Sequence, residues 1–116
     1  MMTKINISVE NKVFAVTLSD NATTRALLPL LPLTVTMIEL NGNEKYVNLA
    51  AKLLTEPQRV GNIEAGDLML YSSDCLVLFY EGFRSSYSYT RLGRLDDPAE
   101  LADVLGKGNV QAKISL

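Results

Sequence analysis

Glu44 and Tyr46 stand two residues apart after the turn-forming triplet Asn41-Gly42-Asn43. In an extended strand that spacing puts both side chains on one face. A carboxylate beside a phenol can bind a polar ligand or act as an acid/base pair. The plainer alternative is structural: a carboxylate that accepts N–H groups from the turn, or lies in solvent, and this is the role expected for Glu44. Asp67, after Gly66, can line the mouth of a barrel or accept backbone N–H groups at its own turn, as Asp commonly does. Five of the eight aromatics fall between Phe79 and Tyr89: Phe79, Tyr80, Phe83, Tyr87 and Tyr89. Arg84, Arg91 and Arg94 sit among them or just beyond, and aromatic faces with guanidinium groups can grip a peptide or a nucleobase. Phe79 reads as core, whereas Phe83 and Tyr87, in a stretch expected to be loop, are the pair that packing explains least. The candidate ligand-binding residues are therefore Glu44, Tyr46, Tyr71, Phe83, Tyr87 and Arg94.

Other chemistries are closed off by residues the chain lacks. It has no histidine and one cysteine, Cys75, so Ser-His-Asp and Cys-His arrangements cannot be assembled. Histidine-bearing metal sites and thiolate cages are excluded with them, and neither a metal nor a cofactor is expected. Cys75 lies in an apolar run, where a small buried hydrophobe is the simpler reading than a reactive thiol. A net charge of −2 offers no basic footprint for nucleic acid. No apolar stretch approaches the ~20 residues of a membrane span, and no secretory h-region is visible, so a cytoplasmic location is expected. At 116 residues, 47% apolar and 21% charged, the chain reads as one globular domain.

The elements that must position the candidates are mostly strands. Gly66–Tyr71, the turn Ser72-Ser73-Asp74 and Cys75–Tyr80 read as a central hairpin whose second strand is buried on both faces. Ile5, Ile7, Val9 and then Phe14, Val16, Leu18 alternate with more polar neighbours, which predicts an N-terminal hairpin. Asp20 or Asn21 caps a helix over 21–28 that Pro29 ends. Asn41-Gly42 marks a second hairpin between 33–40 and a strand from Glu44, residues 55–62 read as loop, and 81–88 likewise. A strand over 89–95 has a plausible bulge at Gly93. Asp97 as N-cap, Pro98 in the first turn and Glu100 at the capping-box position start a second helix over 98–105, and Val110–Leu116 is a last strand returning to the first hairpin. The expected fold is mainly β: a closed barrel with two short helices.

Several segments carry a resemblance: Leu30-Leu31-Pro32-Leu33-Thr34, Asn43-Glu44-Lys45-Tyr46, Ala65-Gly66-Asp67-Leu68-Met69-Leu70-Tyr71, Leu78-Phe79-Tyr80 and Leu92-Gly93-Arg94-Leu95. With the N-terminal hairpin, they make the chain similar to the small bacterial and archaeal cyclophilin-like domains of unknown function. The resemblance implies an eight-stranded barrel of the cyclophilin type with helices at its ends. It implies no activity, because the Phe-His-Arg and Gln-Gly-Gly-Asp segments and the site tryptophan and histidine of true cyclophilins have no counterpart here. Two functions follow as expectations: a non-enzymatic binding module for a peptide segment or small molecule, and, as the alternative, a peptidyl-prolyl isomerase with a rebuilt site or an acid/base catalyst centred on Glu44.

Overall fold

A computed structural model describes residues 3–116. Among these residues, nine strands and two short α-helices follow one another as β1 (Thr3–Val9), β2 (Lys12–Leu18), α1 (Ala22–Leu27, continued by a 3-10 turn over Leu28–Leu30), β3 (Leu33–Leu40), β4 (Glu44–Asn48), β5 (Gln58–Ile63), β6 (Asp67–Tyr71), β7 (Cys75–Phe79), β8 (Phe83–Leu95), α2 (Leu101–Leu105) and β9 (Val110–Ser115). The strands pair in the order β2-β1-β9-β3-β4-β7-β6-β8, and a further pairing of β2 with β8 closes them into an eight-stranded antiparallel barrel. β5 lies outside the ring, paired only with the first half of β8.

The alternation in β1 and β2 does what the period-2 rule requires: Ile5, Ile7, Val9, Phe14, Val16 and Leu18 all point inward and are buried. β9 returns beside β1, with Ile114 opposite Ile7. The closing seam is short, pairing Val16, Thr17 and Leu18 with Leu95, Arg94 and Gly93. It depends on Gly93, because a Cβ there would stand 2.4 Å from the Thr17 carbonyl oxygen. The expected bulge is present: Leu68 faces Gly93 while Met69 faces Arg91, so Leu92 is the extra residue.

β7 is buried on both faces for a reason its composition announced. Leu76 and Leu78 face the barrel interior, whereas Val77 and Phe79 face outward into a second, smaller core with Ile63, Met69 and Tyr89. That outer core exists because β5 and the first half of β8 fold over the barrel wall as a two-stranded flap. Residues 58–62 and 83–88, expected to be loop, are therefore strands. Their serines, glycine and arginines lack a continuous apolar pattern because one face of the flap is open to solvent.

Asn21 caps α1 through a reciprocal pair of hydrogen bonds, its side-chain oxygen 2.8 Å from the Thr24 amide and its own amide 3.2 Å from Thr24 Oγ1. The buried face is Thr23, Thr24 and Leu27. The two threonines are satisfied by the carbonyls of Leu54 and Ser19. α2 begins three residues later than its sequence signals suggest. Asp97 accepts from the Ala99 amide at 3.1 Å and so caps a preceding turn, and the helix itself starts at Leu101.

Candidate functional site

Glu44, Lys45 and Tyr46 open β4, and the pleat sends them to opposite sides of the barrel wall. Lys45 points inward and is fully buried, yet it is well supplied with partners. Its ammonium donates to Glu39 Oε1 at 2.9 Å, to the Gly106 carbonyl at 2.8 Å and to the Gly108 carbonyl at 2.6 Å, and lies 5.2 Å from the Tyr80 ring centre. The Tyr80 hydroxyl donates to the same Glu39 oxygen at 2.7 Å. Burial and the hydrogen bond to Glu39 push the Tyr80 phenol up to about 12. For Glu39, burial works to raise the pKa, but hydrogen bonds from Tyr80, Lys45 and the Gly42 amide outweigh it and leave the carboxyl below its ordinary value. Glu39, Lys45 and Tyr80 form a closed polar cluster that ties the β3–β4 hairpin to the loop after α2.

This cluster also settles which carboxylate pins the Asn41-Gly42-Asn43 turn. The Gly42 amide donates to Glu39 Oε2 at 2.7 Å, not to Glu44. Glu44 faces outward, is only 8% exposed, and among the described residues receives no hydrogen bond on its carboxylate. Burial, and then the negative charge of Glu39, push its pKa up. The structural role expected for Glu44 thus belongs to Glu39.

Glu44 lies instead in the wall of a cleft of about 250 Å³ on the outer surface of the barrel. Val77 and Leu40 supply apolar wall, and Tyr46, Tyr71, Tyr87 and Tyr89 supply phenols. Register explains the convergence: Tyr46 is opposite Val77, and Tyr71 opposite Cys75. The flap brings Tyr87 and Tyr89 over them, with Tyr71 edge-on to Tyr87 at 6.1 Å between ring centres and tilted against Tyr89 at 5.6 Å. Tyr71 and Tyr87 remain exposed, whereas Tyr89 is buried. Cys75 borders the cleft, but burial and the charges of Asp74 and Glu44 push its thiol up, away from the nucleophilic thiolate.

Of the six candidate residues, the fold brings Glu44, Tyr46, Tyr71 and Tyr87 together and separates the other two. Phe83 packs against Phe79 in the outer core, 5.6 Å between ring centres. Arg94 is held by two carboxylates, its Nε 2.8 Å from Asp67 Oδ1 and its Nη2 2.7 Å from Glu64. Asp67 also accepts the Glu64 amide at 3.0 Å, the turn-capping role open to it from sequence. Sequence reasoning did not select Tyr89 as a ligand residue or Lys45 as a buried one. Tyr89 was recoverable from Phe83, Ser85, Tyr87 and Tyr89 recurring at every second position.

The closed barrel with helices at its ends, one wall doubled by a flap and an outer cleft beneath that flap, defines the class. The chain belongs to the cyclophilin-like family, whose model matches residues 7–115. Among solved structures, it is similar to a hypothetical protein from Archaeoglobus fulgidus determined in solution, with a TM-score of 0.70 and 16% identity over 98% of this chain and 94% of that one. At that identity the likeness shows the fold alone. No curated protein matches.

Proposed function

We propose that this protein is a non-enzymatic binding module and that the outer cleft under the β5–β8 flap is its ligand site. The observation that carries the reading is Glu44: a residue 8% exposed whose carboxylate has no hydrogen-bond donor among the described residues, has its pKa raised by burial, and stands at the wall of a tyrosine-lined hollow. Partial burial disfavours the charged form of an unpaired carboxylate, which leaves room for a donor to improve on the unliganded state. A ligand supplies the missing partner.

Prolyl isomerisation would need a donor aimed at the proline nitrogen. Of the four candidate donors Arg25, Arg84, Arg91 and Arg94, none borders this cleft among the described residues: Arg94, Arg91 and Arg25 are engaged by Asp67, the Val60 carbonyl and Asp20, and Arg84 lines a different hollow of the flap with Arg59. A coupled isomerisation assay on several X-Pro peptides at high protein concentration is expected to show no rate above background. Binding is tested by titrating ¹⁵N-labelled protein with a library of small fragments and short peptides. Amide shifts are expected to gather at 44–46, 71–77 and 87–89; shifts confined to other surfaces would overturn the assignment.

A further inference from the structure

The charge on the cleft wall is negative. Glu44 is the one charged side chain on its described walls, and Glu39 and Asp74 act on Glu44 and Cys75 as further negative charges. Lys45, next in sequence, is turned through the barrel wall and fully engaged there. Tyr71, Tyr87 and Tyr89 stand at interplanar angles of 81° and 58°, so ring faces and edges form a corner rather than a flat stack. Aromatic faces are the negative pole of the ring quadrupole and attract a cation within about 6 Å. An anion entering here meets the carboxylate, and a neutral donor can offer it a hydrogen bond but no counter-charge. The volume also selects: about 250 Å³ lies below the roughly 300–1,000 Å³ of drug-sized sites and suits one short side-chain-sized group.

We propose that the cleft takes an organic ammonium on a short aliphatic arm, with Glu44 as its counter-ion and Tyr71, Tyr87 and Tyr89 as the aromatic wall. This rests on the reading of the cleft as a ligand site and adds the chemistry of the ligand. A free alkylamine and a lysine side chain of a peptide present the same group.

The probes are n-butylammonium, a short peptide with a single lysine, n-butanol and butyrate, each titrated into ¹⁵N-labelled protein at matched ionic strength. Both ammonium probes are expected to move the amides at 44–46, 71–77 and 87–89, with n-butanol at least about tenfold weaker, the loss expected when a charge-assisted contact is missing. Butyrate is expected to leave those amides unmoved. Whichever ammonium probe binds more tightly identifies the source. Glu44→Gln should erase the preference for ammonium over n-butanol, and Tyr87→Ala, at an exposed position, should weaken ammonium binding a few-fold. Added salt should weaken it further. If n-butanol or butyrate moves the same amides as strongly as the ammonium, the cation assignment fails while the cleft stands as a binding site. If neither these probes nor the fragment library moves them, both fail.

Discussion

Replacing Lys45 by Met tests the account of the barrel's polar cluster. Met keeps most of the volume, so cavity formation contributes little and the change isolates the ammonium. Three acceptors lose a donor: the carbonyls of Gly106 and Gly108, and one oxygen of Glu39 that keeps the Tyr80 hydroxyl. Breaking a buried pair by removing one partner costs about 3–5 kcal/mol, because the other charge is left uncompensated. Glu39 keeps 21% of its side chain exposed and the hydroxyl of Tyr80, so the low end applies, about 3 kcal/mol. Against a total of about 5–15 kcal/mol this is a large fraction, and at roughly 4 °C per kcal/mol it lowers Tm by about 12 °C. Urea and thermal unfolding followed by circular dichroism at neutral pH measure it. Because the folded pKa of Glu39 is depressed, the stability it contributes is present above its ordinary value of 4.5 and lost as pH falls through the folded value. The gap between wild type and Lys45→Met should accordingly narrow in acid, and Glu39→Gln should show non-additivity with Lys45→Met in a double-mutant cycle. A loss below about 1 kcal/mol, the value of an exposed ion pair, would refute the reasoning.

Phe83→Ala should destabilise by about 2 kcal/mol, since it removes part of the outer core, whereas Tyr87→Ala should stay within about 0.5 kcal/mol; urea titration of both separates them. Gly93→Ala should cost more than about 2 kcal/mol, because the new methyl meets the Thr17 carbonyl at 2.4 Å and the seam must open; hydrogen exchange at residues 16–18 would report it. Glu44→Gln should stabilise the unliganded protein at neutral pH. The folded pKa of Glu44 is raised, so its favourable contribution exists below its ordinary value of 4.5 and is lost as pH rises through the folded value, and the advantage of Gln should vanish in acid. Equal Tm differences at both pH values would contradict the burial assigned to Glu44.

The barrel was legible wherever one face of a strand is apolar and the other polar. Ile5, Ile7 and Val9 declare their inward face, and the unbroken apolar run of β7 declares two buried faces. β4 is different. Glu44 and Tyr46 share one face and Lys45 and Val47 the other, so each face carries a charge and hydropathy cannot say which turns inward. The answer comes from the Gly106 and Gly108 carbonyls and from Glu39, groups about sixty residues further along the chain or across the hairpin. The flap was missed for a related reason: β5 offers Val60 and Ile63 to the outer core and little else. Four tyrosines from β4, β6 and β8 meet only because that flap exists, so the cleft was readable as residues but not as a place.

The N-terminal hairpin has a particular place in the ring: β1 is flanked by β9 and β2 by β8. During synthesis, residues 3–18 emerge with both edges bare and stay so until residues 93–95 and 112–115 have been made. Two open strand edges with an apolar face are a template for any other extended chain. Contacts of such long sequence separation also place the closure of the barrel among the slow folding topologies. The interval before the ring closes is therefore when this chain is most exposed to mispairing, and it is set by the order of the strands rather than by the strength of any one of them.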